Sequence, residues 1–376
     1  MKQLTYVLTL SSFLLLIHRS DAQESIAVFE RSIVVDGKNY TLAERMEHYG
    51  VAGVSIAVVR DGALSWARGY GYLQKGKPEK VNTETVFSVG SISKVGTAAT
   101  ILHLVDRGDL DLDADVNTYL SQWKVPENKY TKNQSVTLRH IMSHTAGLTV
   151  HGFADFLPDE KLPNTVEILK GTSPAKNSPV LVNIPIGSQF RYSGGGTQVL
   201  QLIIEEMRNA EFPQATQALL FEPLNMNRST YENPLPEAHG NIAKAHDRRG
   251  KPVALPRGYQ AMPEMAASGL WTTPSDLTKL IIALMESYHS RGGFLSQSTT
   301  KDMMTKVLPS DYGLGPELEG AGSSKSFSHG GANDSYRAFF RGYLETKNGF
   351  VILTNGNRGS ELIREIHPAL IKAEGF

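Results

Sequence analysis

The order of strand and helix signals constrains this chain more than any other feature, because β-rich text lies at both ends with helix-rich text between. Near the start, "VSIAVV" and "ALSWARGYGY" flank Arg60-Asp61-Gly62-Ala63. An Asp-Gly pair between β-rich runs predicts a hairpin. Near the end come "FSH", "YRAFFRGYL" and "GFVILTNG". Between them Val95, Ala98, Ala99, Leu102 and Val105 recur at helical spacing, with Gly108 as the stop. "TQVLQLIIEEMR" at 197–208 and "PSDLTKLIIALMES" at 274–287 carry the same stripe. The second opens well, with Thr273 before Pro274 and Asp276 in the first turn. Further helices are expected near 41–49 and 359–373, and the proline-interrupted stretch 155–188 reads as a long loop with room for one short helix. The expectation is an α/β chain with one sheet built from both ends, 23–85 and 300–376, and a mainly helical region, 86–299, inserted between. A ligand site then falls in the cleft between the halves.

Composition narrows the class. The 376 residues can bury a sizeable core, and 40% hydrophobic with 20% charged residues is globular text. Basic and acidic residues balance at 38 each, so nothing points to nucleic acid as a partner. With no cysteine, a thiol nucleophile, a thiolate metal site and a lipidated cysteine are excluded. "MKQLTYVLTLSSFLLLIHRSDAQ" has an early Lys2, an apolar run from Leu4 to Ile17, then Ser20 and Ala22. That layout predicts a signal peptide over 1–22, cleaved after Ala22, and a product exported to a periplasm or secreted. The run is short of the ~20 residues a span needs, so no stable membrane span is expected after cleavage. N-x-[ST] triplets at Asn39, Asn133, Asn227 and Asn333 carry little weight, since such triplets arise by chance.

Three stretches bring together residues able to do chemistry. In "FSVGSISK", Ser91 and Lys94 are three apart at a helix start, so the amine and hydroxyl share a face. A buried lysine loses its proton more readily and can activate a serine, and the helix N-terminus offers N–H groups to an oxyanion. The plainer alternative is a helix cap with a solvent-facing lysine. In "FRYSGGGTQ", Tyr192 precedes a glycine run that opens a helix. Its phenol either packs or serves as a general base, its pKa lowered by the Lys94 ammonium. In "FSHGGANDSYRAFF", Gly330 and Gly331 permit close approach of a bound acyl group. The Ala332 N–H can complete an oxyanion hole with that of Ser91, and His329 can orient substrate or sit at a strand end without a role. His140 and His144 are spaced as a metal pair could be, but no H-E-x-x-H and no third ligand accompany them. A loop fixed by side-chain hydrogen bonds is expected instead, and no metal or cofactor.

Taken in order, "VAGVSIAVVRDG", "FSVGSISK", "LRHIMSHTAGL", "FRYSGGG", "AASGLWTTPSDL" and "SHGGANDSYRAFF" resemble the serine β-lactamase and penicillin-binding protein superfamily, in its class C β-lactamase-like branch. The branch includes DD-carboxypeptidases, D-aminopeptidases and esterases. The resemblance implies a β-lactamase/transpeptidase-like fold, an antiparallel sheet flanked by helices beside a helical region. It implies Ser91 as the acylated nucleophile, Lys94 as its base or proton relay, and Tyr192 as a second base. His329, Gly330 and Gly331 fall where the family usually has Lys, Ser or Thr, and Gly, and Ala332 supplies the strand oxyanion donor. Two departures stand out: Gly194 replaces the asparagine of the Tyr-x-Asn motif, and His329 replaces the lysine of the third motif. Both weaken the expectation of efficient β-lactam hydrolysis. The implied function is an exported serine hydrolase acting on an ester or amide, with a small-molecule or peptide substrate of cell-wall type. The rivals are a true β-lactamase, a D-Ala-D-Ala carboxypeptidase, and a non-catalytic peptidoglycan-binding or sensor protein.

Overall fold

The computed structural model describes residues 22–376, so all but the last residue of the expected signal peptide lies outside the described residues. Six strands form one antiparallel sheet: β1 (Gly53–Arg60), β2 (Ala63–Gly71), β3 (Glu317–Glu319), β4 (Ser326–Asn333), β5 (Tyr336–Tyr343) and β6 (Asn348–Thr354). Their spatial order is β2-β1-β6-β5-β4-β3. The two chain ends meet at the β1–β6 ladder, which runs from Val54 opposite Thr354 to Val59 opposite Gly349. The Asp61-Gly62 turn forms as the sequence indicates. Both residues take positive φ, 49° and 78°, as a two-residue hairpin loop requires.

β1 is buried along Gly53–Val59 because both sheet faces are covered. On one face Val54, Ile56, Val58, Phe350 and Ile352 pack with Leu362, Ile366 and Leu370 of the C-terminal helix, Gly359–Glu374. On the other, Val59, Val351 and Leu353 join the large core that holds Leu277, Ile281 and Leu284 of the helix Pro274–His289. The expected cap at Thr273 is present, and a second cap at Thr41 joins it. Thr273 Oγ1 accepts the Asp276 N–H at 3.0 Å, and Thr41 with Glu44 closes a reciprocal box on Leu42–Tyr49. Within 155–188 the one helix is Thr165–Lys170.

Two further helices position the site. α1 (Ser93–Asp106) is buried on almost every side, as a helix without a polar face must be. Gly108, at φ 77°, follows it and donates its N–H to Val105 O. α2 (Gly194–Arg208) begins with the three glycines themselves, Ser193 capping it by accepting the Gly196 N–H at 2.9 Å. The short pair Phe87–Ser88 with Trp271–Thr272 ties the segment before α1 to the segment before Pro274.

Both ends of the chain are also locked by one carboxylate. Glu374, 3% exposed, accepts from Trp66 Nε1 at 2.9 Å and Arg60 Nε at 2.8 Å, and Ser25 Oγ donates to it as well. Glu374→Ala leaves the indole N–H and the guanidinium short of an acceptor. Urea unfolding is expected to register a loss of roughly 2 kcal/mol.

Candidate functional site

Ser91 sits in a single 3-10 turn, Gly90–Ile92, directly ahead of α1, with Lys94 in the first turn of that helix. Two glycines set this turn against β4. Gly90 has φ +51°, and a Cβ on it would lie 2.5 Å from the Ala332 nitrogen. A Cβ on Gly331 would overlap the Val89 carbonyl oxygen. Gly331 therefore makes room for the Ser91 turn. Of the two strand glycines, Gly330 faces open space, a Cβ there having Ala338 O at 4.0 Å as its nearest neighbour. β3 pairs with Ser326–Ser328 alone, so from His329 onward β4 has no strand partner on that side.

Lys94 is 4% exposed and faces no carboxylate among the described residues. Its Nζ donates to Ala267 O at 2.8 Å and to Ser91 Oγ at 3.2 Å. Burial alone pushes the amine down to about 7, because an ammonium without a counter-charge is costly away from water. The carbonyl that holds it belongs to a clasped segment, Met265–Ser268. Thr97 Oγ1 donates to Ala266 O at 3.0 Å, and Gln201 Oε1 on α2 accepts the Ala266 N–H at 3.0 Å. Asn333 Nδ2 donates to Ser268 O at 3.0 Å and also to Ser88 Oγ, so the triplet at Asn333 has its amide committed to structure.

Tyr192 projects from the residue before the α2 cap. The Lys94 Nζ lies over its ring, 4.9 Å from the centroid. Burial pushes the phenol up to about 12, with the Ser91 hydroxyl pulling slightly the other way. The expected lowering by Lys94 therefore does not occur: the amine sits over the ring face and is itself easily neutralised, while burial dominates. At neutral pH the phenol keeps its proton.

His329 is buried, and burial together with the Lys94 charge pushes it down to about 4, the Gly330 carbonyl opposing. It is a neutral imidazole at pH 7. The two loop histidines act separately. His140 Nδ1 pairs with Thr137 Oγ1 at 2.9 Å, whereas His144, at φ 59°, accepts the Ser193 N–H at 3.2 Å and packs its ring 4.3 Å from that of Tyr192.

Two cavities of about 600 Å3 each meet at Ser91 and Tyr192. One is polar, with Asp155, Gln260, Ser268, Asn333 and Asp334 along it. Burial pushes Asp155 up to about 6. The other is largely apolar, walled by Phe190, Tyr312, His329, Phe339 and Ile363. Tyr312 carries no sequence signal and comes from a distant loop; it stacks at 5.3 Å on Phe190, the first residue of the "FRYSGGG" stretch, to which the sequence assigned no role. A larger cavity of about 1290 Å3 lies by Glu205 and Asn164 and includes none of Ser91, Lys94 and Tyr192. Chemistry, not size, picks the Ser91 cleft. Among the described residues no three His, Cys, Asp or Glu side chains converge as metal ligands, and no helix is long and apolar enough to cross a membrane.

Comparison with known proteins agrees with this architecture. The family model described as Beta-lactamase matches residues 39–373. PbpX of Bacillus subtilis (strain 168) is 26% identical over 293 residues, 76% of this chain and 67% of that protein. Protein flp of Staphylococcus aureus (strain MRSA252) is 25% identical over 225 residues, 60% of this chain but 42% of its own length. The chain thus spans under half of the flp proteins it matches. Among solved structures, the octameric penicillin-binding protein homologue from Pyrococcus abyssi superposes with a TM-score of 0.71 at 24% identity, covering 89% of this chain and 76% of that one. The penicillin binding protein from Bacillus halodurans gives 0.67 at 19%, covering 88% and 99%. These likenesses show the fold.

Two outcomes follow from the site's packing and charge. Because Lys94 holds its proton less tightly folded (about 7) than unfolded (10.5), it destabilises the fold fully below pH 7, and the penalty fades as pH rises to the unfolded value. Lys94→Met is expected to raise the thermal midpoint at pH 7, with the gain narrowing toward pH 10. Gly331→Ala is expected to cost roughly 2 kcal/mol or more in urea unfolding, since either the turn or β4 must move.

Proposed function

The chain belongs to the Beta-lactamase family, a serine hydrolase-type family, and from that premise we propose that it cleaves an ester or amide through an acyl-enzyme on Ser91. The observation that carries this reading is the buried Lys94 amine, 3.2 Å from Ser91 Oγ, with no carboxylate to hold its proton. Neutral Lys94 takes the hydroxyl proton as Oγ attacks the carbonyl carbon. The N–H groups of Ser91 and Ala332 receive the developing oxyanion. Tyr192, protonated at rest, passes its proton to the leaving group and is refilled by the Lys94 ammonium. Deacylation runs the same relay with water as nucleophile. His329, Gly330 and Gly331 shape the strand side of the cleft, and the substrate is a small molecule or peptide, with cell-wall-type D-peptides among the candidates. No cofactor is called for. Export to a periplasm or beyond the cell remains part of the proposal, resting on the first 22 residues.

Efficient β-lactamase action is disfavoured by Gly194. A Cβ there would lie 3.0 Å from the Phe153 ring and 3.1 Å from His151 O, so the amide side chain of a Tyr-x-Asn motif has no room without rearrangement. Fluorophosphonate labelling with peptide mapping tests the central step: modification at Ser91 in the wild type and none in Ser91→Ala is expected, and equal labelling of both would refute it. The rate of labelling is expected to rise about tenfold per pH unit below about 7 and to level above it, as Lys94 loses its proton. Tyr192→Phe is expected to slow turnover of p-nitrophenyl butyrate by ~100-fold, read by stopped assay beside nitrocefin, on which the wild type is expected to be poor.

A further inference from the structure

His329 is 3% exposed, and its Nδ1 lies 2.6 Å from the Gly330 carbonyl oxygen. A carbonyl only accepts, so Nδ1 carries the ring proton and Nε2 is left with a lone pair. Among the described residues no group donates to that Nε2, although it is buried. Buried acceptors are seldom left unpaired without a reason. The ring forms part of the wall of the apolar arm together with Ser91, Tyr192 and Tyr312. Its centroid is 6.2 Å from that of Tyr192 and 5.9 Å from that of Tyr312.

Charge around this ring restricts what can pair with it. Lys94 is the cation felt at His329 and disfavours a second positive charge there, while His144 is held neutral chiefly by burial. An ammonium on the substrate would meet the same repulsion once Lys94 has taken the Ser91 proton. A carboxylate brings only lone pairs against a lone pair. The arginine along this arm, Arg364, stands exposed where the arm opens to solvent. An uncharged donor is what remains.

We propose that His329 Nε2 accepts a hydrogen bond from an uncharged donor of the substrate, an amide N–H or a hydroxyl close to the scissile carbonyl, and so selects such substrates over those with a carboxylate at that place. This rests on Ser91 being the acylated residue. His329 then determines specificity and takes no part in proton transfer.

The test uses two series of esters, varied on the acyl side or on the leaving side, each carrying carboxamide, carboxylate or methyl ester at the varied position. In one series the wild type is expected to favour the carboxamide over both others by about tenfold or more in kcat/KM, since a site built for a donor rejects its isostere. His329→Leu is expected to erase that preference, mainly through KM, and His329→Lys to turn it toward the carboxylate. Circular dichroism checks that each variant is folded, and the Leu variant decides if the Lys variant is not. A wild type that favours the carboxylate or treats the three alike in both series overturns the assignment. So does a His329→Leu enzyme slowed equally on all three. Fluorophosphonate labelling run alongside separates the two levels. Unlabelled wild-type Ser91 removes the hydrolase reading and this selectivity with it, whereas labelled Ser91 with carboxylate preference removes the selectivity alone.

Discussion

Everything in the cleft depends on one unpaired charge being kept out of water. Lys94 has a carbonyl and a hydroxyl for company and no carboxylate. A salt bridge there would hold the proton and silence the amine as a base; desolvation does the reverse. Burying such a group opposes folding, and it is tolerated only where the surroundings over-determine its place. The helix α1 does this by being buried nearly all round. The Met265–Ser268 segment does it from the other side, pinned by Thr97 and Gln201 so that Ala267 O meets the amine.

Placement of Ser91 is a matter of contact between backbones. Gly90 and Gly331 let the turn before α1 and the edge of β4 approach closer than any side chain would allow. That approach brings the Ala332 peptide beside the Ser91 turn. The sheet supplies the rigid side of this clamp, and its rigidity comes from pairing the front of the chain with the back along β1 and β6. The long-range ladder and the local turn are therefore parts of one device. Disturbing either moves the Ala332 peptide relative to the Ser91 turn.

Much of this was legible in the sequence, for local reasons. The Asp61-Gly62 turn, the Thr273-Pro274 helix start, the stop at Gly108 and the pairing of Ser91 with Lys94 all depend on neighbours in the chain. The strand-helix-strand order was enough to indicate one sheet from both ends. What escaped was set by packing between distant segments. Tyr312 walls the apolar arm but sits in text with no motif, and Phe190, which opens the "FRYSGGG" stretch, had no role assigned to it. Asn333 looked like a chance triplet and proves to be a strut between Ser88 and Ser268. The packing of Gly331 escaped because the atom it makes room for, Val89 O, is some 240 residues away in the chain. The acid–base state of Tyr192 was misread for a similar reason. The sequence places a lysine within reach of the phenol but not over its ring, and it says nothing of how deeply both are buried.

The most direct measurement is a titration of Lys94 itself. With lysines labelled at 13Cε and Lys94→Arg used to assign the signal, NMR between pH 5 and 11 follows the one amine against all others. A midpoint near 7, as the buried site gives it, is the expected result. A midpoint near 10.5, where an ordinary lysine titrates, would mean that Lys94 stays charged beside Ser91 and is not the base of this site.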